Sequence, residues 1–345
     1  MYRHNLSEYD VEQLLRAAIA APSMHNAQPW RFRVTGSTID VHLDRARTLR
    51  VEDPTGRAHH VSIGAVVLNL RCRAASMGLL TRFIWLPEPH DGDLLARVTF
   101  ELSLRPLESA LVALSEQIGR RQTFRGPMRE RHVPSHVLDA LRTVAAQEGA
   151  SLTVLAQPTV HRLLLLTGEA DVLDSLDEER LKERSTWVGG VRPDEGIPSS
   201  ALGPRPTEPG SPVRELGVRH QDSHRQAAEF ELHPTLAILS TAGDGPVDWL
   251  NAGMALQRVL LTLTRHGLMA SFLNQPLERP HLRLWVGELV RPAGHPHMVL
   301  RVGQGVARPW GAREAAEPTP RRPLHAFYLP PRSGPGSQES PPAPG

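Results

Sequence analysis

Two stretches of this chain carry residue types and spacings suited to holding a ligand. The first, Pro22-Ser23-Met24-His25-Asn26-Ala27-Gln28-Pro29-Trp30, follows an apolar helix and sets a hydroxyl, an imidazole and two carboxamides on one short turn. Such groups present donors and acceptors at fixed positions, which suits a planar ligand with polar edges. The second, Gly119-Arg120-Arg121-Gln122-Thr123-Phe124-Arg125, crowds guanidinium groups beside a hydroxyl just ahead of a helix. Arginine forks grip phosphate or carboxylate oxygens two at a time, so the chemistry on offer is anion binding. Each stretch also has a plain structural reading: a helix-to-strand connection whose polar groups face water, and a solvated basic turn.

Other motifs offer less. His220 and His224 have the i, i+4 spacing of a helical metal pair but lack a glutamate after the first histidine and a third ligand, so they read as a solvated polar helix. Gly303-Gln304-Gly305 follows a strand without completing a dinucleotide fingerprint and reads as a turn. No Gly-x-Ser-x-Gly occurs, which leaves a hydrolase without support. Cys72 is the only cysteine, which excludes an intrachain disulfide and multi-cysteine metal motifs and fits a reducing cytoplasm. Net charge is +2, and Lys182 is the single lysine among 39 basic residues. The arginines are interleaved with acids, so a nucleic-acid partner is not expected. No export signal and no apolar run of spanning length is read, so the expected place is the cytoplasm, away from membranes.

The elements that must position these residues repeat. An amphipathic helix over residues 11–21, with Leu14, Leu15, Ala18 and Ile19 on its apolar face, stops at Pro22 and leads to a strand at 31–34. A second amphipathic helix at 135–148 leads to a strand at 151–155. Each pair precedes a nearly all-apolar helix, and such a helix is buried on most sides. Gly64 and Gly78 bracket the first at a spacing of 14 residues, and Gly253 and Gly267 bracket the second at the same spacing of 14. The closing glycines suit left-handed helix ends. Strands at 98–102 and 297–302 follow, so the chain reads as two fused copies of one α+β unit. A first half at 1–115 and a second at 116–329 are expected, with a Pro/Gly/Ser-rich insertion at 189–217 and a disordered tail at 330–345.

The Pro-Ser-x-x-Asn-x-Gln-Pro-Trp string resembles the signature of the nitroreductase family of FMN flavoproteins, and its surroundings resemble the actinobacterial Acg branch. Those proteins are dimers with FMN at the interface, and the Acg branch resembles such a dimer made from one chain. The resemblance implies a pseudo-dimeric nitroreductase-like fold, each copy with a central buried helix and a mainly antiparallel sheet. It implies cofactor contacts from Pro22, Ser23, Met24, His25, Asn26 and Gln28 in one copy. From the other copy it implies Arg121 on the phosphate, with Gln122 and Thr123 beside it, and Arg125 near the N1/O2 edge, where it would stabilise the reduced anion. Arg321-Arg322-Pro323-Leu324 resembles the family's closing element, with Arg321 the better match to its phosphate arginine, and Asn274-Gln275-Pro276 fills the place of the loop near N5. Asp53-Pro54-Thr55-Gly56-Arg57 is a turn and helix start that Acg-like chains share.

The first half opens on Tyr2-Arg3-His4-Asn5 and lacks the arginine cluster, whereas the second has Gln147-Glu148-Gly149-Ala150 in place of the loop. One complete site is therefore expected, holding one FMN per chain. The implied activity is hydride transfer from NAD(P)H through FMN to an electron-poor small molecule by a ping-pong route, with no side chain needed as acid or base. The alternative is a flavin-sequestering protein in which the 189–217 insertion is a lid. A fused dimer can act as a monomer.

Overall fold

Ser7 starts the first helix by a capping box: its Oγ accepts from the Asp10 amide at 3.1 Å, while the Asp10 carboxylate accepts from the Ser7 amide at 3.0 Å. The computed structural model describes residues 5–208, 210–216, 225–291, 294–306 and 319–330. Tyr2 to His4, the histidine pair at 220 and 224, and the tail from 331 onward lie outside the described residues.

Helix α1 (Glu8–Ile19) leads through the 22–30 loop to strands β1 (Trp30–Thr35) and β2 (Thr38–Leu43). Helix α2 (Arg57–Ser76), strands β3 (Leu79–Trp85) and β4 (Leu94–Leu102) and helix α3 (Ser109–Ser115) complete the first half. The second half runs α4 (Ser135–Ala146), β5 (Ser151–Val154), α5 (Gln157–Ser175), α6 (Glu178–Trp187), a short parallel pair β6 (Arg205–Pro206) and β7 (Ala227–Ala228), then β8 (Thr235–Thr241), α7 (Pro246–Arg265), β9 (Met269–Phe272), α8 (Pro280–Leu289) and β10 (His295–Gly303). The first sheet has the order β1-β2-β4-β3 and the second β5-β8-β10-β9, both antiparallel throughout. The two orders are the same when strands are counted within each half. The repeat expected from the glycine spacing is therefore a repeat of topology.

Helices α2 and α7 are the two apolar helices, and they pack on each other at Gly64 and Gly253. A Cβ on Gly64 would lie 2.0 Å from the Leu250 carbonyl oxygen and 2.9 Å from the Gly253 Cα, and a Cβ on Gly253 would lie 2.0 Å from the Val61 oxygen. Only glycine fits at this crossing, because the backbones themselves touch. Gly78 and Gly267, with φ of +78° and +69°, form the left-handed ends expected of them. Around the crossing, Ile63, Val66, Leu68, Leu250 and Leu261 are fully buried.

The halves differ in one connection. β1 and β2 are joined by a tight turn at Gly36, whereas β5 and β8 are joined by residues 155–234, which hold α5, α6 and the insertion. The inserted element is thus larger than the 189–217 stretch that composition marks out. Its first helix escaped detection because Leu163-Leu164-Leu165-Leu166 spreads apolar groups around the whole circumference, leaving no stripe to read. An isolated bridge joins a segment outside the strands to each sheet: Tyr328 of the second half bridges to Phe32 on β1 of the first, and Thr123 bridges to Ala270 on β9 within the second half. Among the described residues no helix is long and apolar enough to cross a membrane.

Candidate functional site

The 22–30 loop is wound left-handed. His25, Asn26 and Gln28 have φ of +48°, +56° and +55°. A side chain in that region costs on the order of 1–3 kcal/mol per residue, so the surroundings must impose it. Ser23 Oγ accepts from the Gln28 amide at 3.0 Å and ties the loop's ends. Asn26 Nδ2 donates to the carbonyls of Gly196 (3.0 Å) and Pro320 (2.9 Å), and its Oδ1 accepts from Arg321 Nη1 at 2.5 Å. Gln28 Nε2 donates to the Asp194 carbonyl at 2.8 Å, while its Oε1 accepts from the Arg322 amide at 3.2 Å. These carboxamides are buried, at 7% and 0% exposure, so the water-facing reading of the loop fails. They join three segments far apart in sequence: the loop, the insertion and the chain's last described residues.

Beside this junction lie arginines without acids. Arg121 is buried, and its Nε and Nη1 have no hydrogen-bond partner. Burial pushes its pKa down to about 10. Burial, followed by repulsion from Arg121, pushes Arg321 down to about 9. Arg321 Nη2 donates to the carbonyls of Ala20 (3.1 Å) and Ala21 (3.2 Å) at the end of α1, but its Nε is buried and unpaired. Arg125 is also lowered to about 10, by burial and then by Arg214, Arg121 and Arg225, and its Nη1 donates to the Ala201 carbonyl of the insertion at 3.1 Å. Among the described residues no carboxylate forms an ion pair with Arg121, Arg125 or Arg321. Buried like charges that depress one another are stabilised by a bound anion, and a phosphate has the oxygens to satisfy the orphaned N–H groups.

The insertion lies across these groups. Gly196 N donates to the Asn26 carbonyl at 3.2 Å, and Arg47, from the first half, reaches Glu195 at 2.5 Å. A Cβ on Gly203 would lie 2.5 Å from the Arg125 carbonyl oxygen. Residues 194–203 therefore touch both the 22–30 loop and Arg125.

Under the loop runs an ion network that sequence reading missed. His25 Nε2 pairs with the fully buried Glu52, whose Oε1 accepts from Arg184 Nε of α6 at 2.9 Å. Burial alone would raise the Glu52 carboxyl; the charge and hydrogen bond of His25, with Arg214 and Arg184, carry it well below the usual carboxylate range. Arg184 also reaches Asp174 of α5 at 2.7 Å, and Asp174 takes Arg279 at 2.7 Å. Arg214 holds Glu278 through two bonds of 2.6 and 2.8 Å. Glu52, Asp174 and Glu278 cluster closely enough to hold a metal ion. Each already takes an arginine, so the positive charge a metal would bring is present. No sequence signal marks this network, because Asp177-Glu178-Glu179-Arg180-Leu181-Lys182-Glu183-Arg184 has the composition of a solvated helix.

The remaining expected residues divide. Arg322 stacks on Phe327 at 4.5 Å and donates to the Ala326 carbonyl, so its side chain serves the C-terminal turn while Arg321 joins Arg121. Gln122 and Thr123 belong to the segment beside β9, where the Phe124 amide bonds the Ala270 carbonyl at 2.9 Å. Asn274 Oδ1 accepts from the Val299 amide at 2.9 Å, which turns this side chain toward β10. Gln275 is buried and donates to Asp171 at 3.1 Å; burial raises that carboxyl to about 6. Pro22 and Met24 are half-buried in the loop. Asp53 caps α2, accepting from the Ala58 and His59 amides at 3.0 Å each.

The end of α4 is the counterpart of the end of α1. There Glu148 accepts from Arg71 at 2.7 Å and from Arg258 at 2.5 Å, and Arg258 also pairs with Glu108 on the segment that follows β4. These guanidinium groups are matched by carboxylates.

Comparison with known proteins places the chain in company. A Mycobacterium tuberculosis H37Rv protein named as an NAD(P)H nitroreductase is 31% identical over 322 residues, covering 91% of this chain and 89% of that protein. A second from the same strain, named as the NAD(P)H nitroreductase Acg, is 28% identical over 322 residues, with 92% of this chain and 95% of that protein covered. Among solved structures, a Bacteroides fragilis nitroreductase with bound FMN is similar at 16% identity and a TM-score of 0.37, covering 59% of this chain and 94% of that one. The FMN-dependent nitroreductase of Mycobacterium smegmatis in complex with NADPH is similar at 14% identity and a TM-score of 0.33, covering 56% and 87%. No family model matches the chain.

Proposed function

This chain belongs to the Acg-like branch of the nitroreductase family, and on that premise we propose that it is an oxidoreductase holding one FMN per chain between its halves. The observation that carries this is Arg121, buried with Nε and Nη1 unpaired and depressing Arg321 beside it. Arg121 and Arg321 would hold the phosphate. Arg125 would set a cation at the pyrimidine edge, where two-electron reduction adds negative charge. Ser23, Met24, His25 and Asn26 would line the ring and ribityl, with Gln28 fixing the loop behind them. Bound FMN would supply the redox chemistry, accepting a hydride from NAD(P)H and, after the donor leaves, passing it to an electron-poor small molecule. No side chain is asked to move a proton, so none is assigned as catalytic. A single site per chain is supported by the ion pairs at the end of α4, where carboxylates take up Arg71 and Arg258.

One observation favours a second reading. Residues 194–203 bond to Asn26, Gln28 and Arg125, as a lid over a stored flavin would. Anaerobic stopped-flow mixing of the yellow protein with NADPH or NADH separates the two. The oxidoreductase is expected to lose its flavin absorbance within seconds; absorbance that persists for minutes with both donors overturns it in favour of flavin storage.

A further inference from the structure

We propose that Glu52 is the positioning residue of the 22–30 loop, and that through it the inserted helices α5 and α6 set how tightly the cofactor is held. The proposal rests on the flavin reading above. His25 begins the left-handed turn at φ +48°, and Asn26 and Gln28 continue it. The imidazole, 2% exposed, is anchored to a carboxylate that is 0% exposed. For the backbone at His25 to relax into an ordinary conformation, the ring must leave Glu52 and strip a buried carboxylate of a partner. Glu52 therefore opposes relaxation of the turn that aims the carboxamides.

Glu52 is itself held by the insertion. The Glu183 carboxylate of α6 accepts from the Val51 amide at 3.1 Å and the Glu52 amide at 2.8 Å, which fixes the backbone. Arg184, one residue on, takes the Glu52 side chain and passes to Asp174 of α5, which Arg279 of the second half grips in turn. One unbroken path of paired polar groups, buried as far as Asp174, thus runs from the loop of the first half through both inserted helices to Arg279 beside α8. None of Glu52, Glu183, Arg184 or Asp174 is placed against the cofactor. They act on it through His25. Coupling of this kind is reciprocal, so an occupied site tightens the insertion as much as a docked insertion tightens the site.

The test compares Glu52→Gln with Glu148→Gln in the full-length protein, the second removing a buried carboxylate of like kind at the end of α4. The readouts are the FMN dissociation constant, the visible circular dichroism of bound flavin and the melting temperature. Glu52→Gln is expected to weaken FMN by about tenfold or more and to change the flavin's circular dichroism. Glu148→Gln is expected to lower the melting temperature while leaving both flavin readouts unchanged. If Glu52→Gln does not fold, the charge-balanced Glu52→Gln/Arg184→Gln pair carries the same expectation. In the wild type, FMN is expected to slow proteolysis within residues 190–206, and an unprotected insertion counts against the proposal. Wild-type affinity and spectrum in a folded Glu52 variant overturn it alone, whereas a wild-type protein that binds no FMN removes the flavin reading and this inference together.

Discussion

The end of α1 and the end of α4 occupy matching places in two halves of identical sheet order, yet their charges are arranged in opposite ways. At the end of α1 the chain gathers Arg121 and Arg321 without a carboxylate to pair with either among the described residues. At the end of α4 it sets Arg71 and Arg258 against Glu148 and Glu108. The first arrangement carries a standing cost that a ligand can relieve; in the second the protein's own carboxylates balance the charge, and Arg258 Nε is the atom of that pair of guanidinium groups left buried without a partner. A duplicated fold has thus kept its architecture twice and its electrostatic appetite once. The segments that follow the last strand of each half show the same division: one delivers Glu108, the other Arg321.

The largest effect is expected at the charge-paired end. Glu148→Ala leaves Arg258 and Arg71 short of a buried partner and should cost about 3–5 kcal/mol in chemical denaturation, with FMN binding unaltered. The opposite sign is expected at the unsatisfied end. Arg121→Ala removes an unpaired buried cation, so the flavin-free protein should gain about 1–2 kcal/mol while flavin no longer survives desalting. A loss of stability in the apoprotein, or unchanged flavin retention, would break the contrast between the two ends. The smallest effect concerns Asp53, beside the loop, whose carboxyl is raised by burial to about 6 from 3.8. The folded state keeps this proton to higher pH than the unfolded chain, so the contribution is full below pH 3.8 and is lost as pH rises through 6. Wild type should therefore lose on the order of 1 kcal/mol relative to Asp53→Asn between pH 4 and pH 7, read from paired denaturation curves.

Much of the frame was legible in the residues. The 14-residue glycine spacings predict the two central helices and their left-handed ends, and the stop at Pro22 predicts where the loop begins. Sequence reading assigns Asn26 and Arg321 to one shared site but to different parts of the ligand; the hydrogen bond between them emerges only in the structure. Strands β2, β3 and β8 and helices α5 and α6 escaped, because their apolar residues lack a clean period or sit beside exposed ones such as Leu80 and Ile84. The Glu52 network escaped for a different reason. A buried ion network and a solvated charged helix use the same amino acids, and only tertiary packing tells them apart.

The contact between Gly64 and Gly253 has a consequence for dilution. A site divided between two separate polypeptides comes apart when their concentration falls below the dissociation constant of the pair. Here the backbone-to-backbone crossing joins parts of one chain, so the loop from one half meets the arginines of the other at an effective concentration fixed by covalent connection. On the proposed reading, the site would therefore be expected to stay complete on dilution.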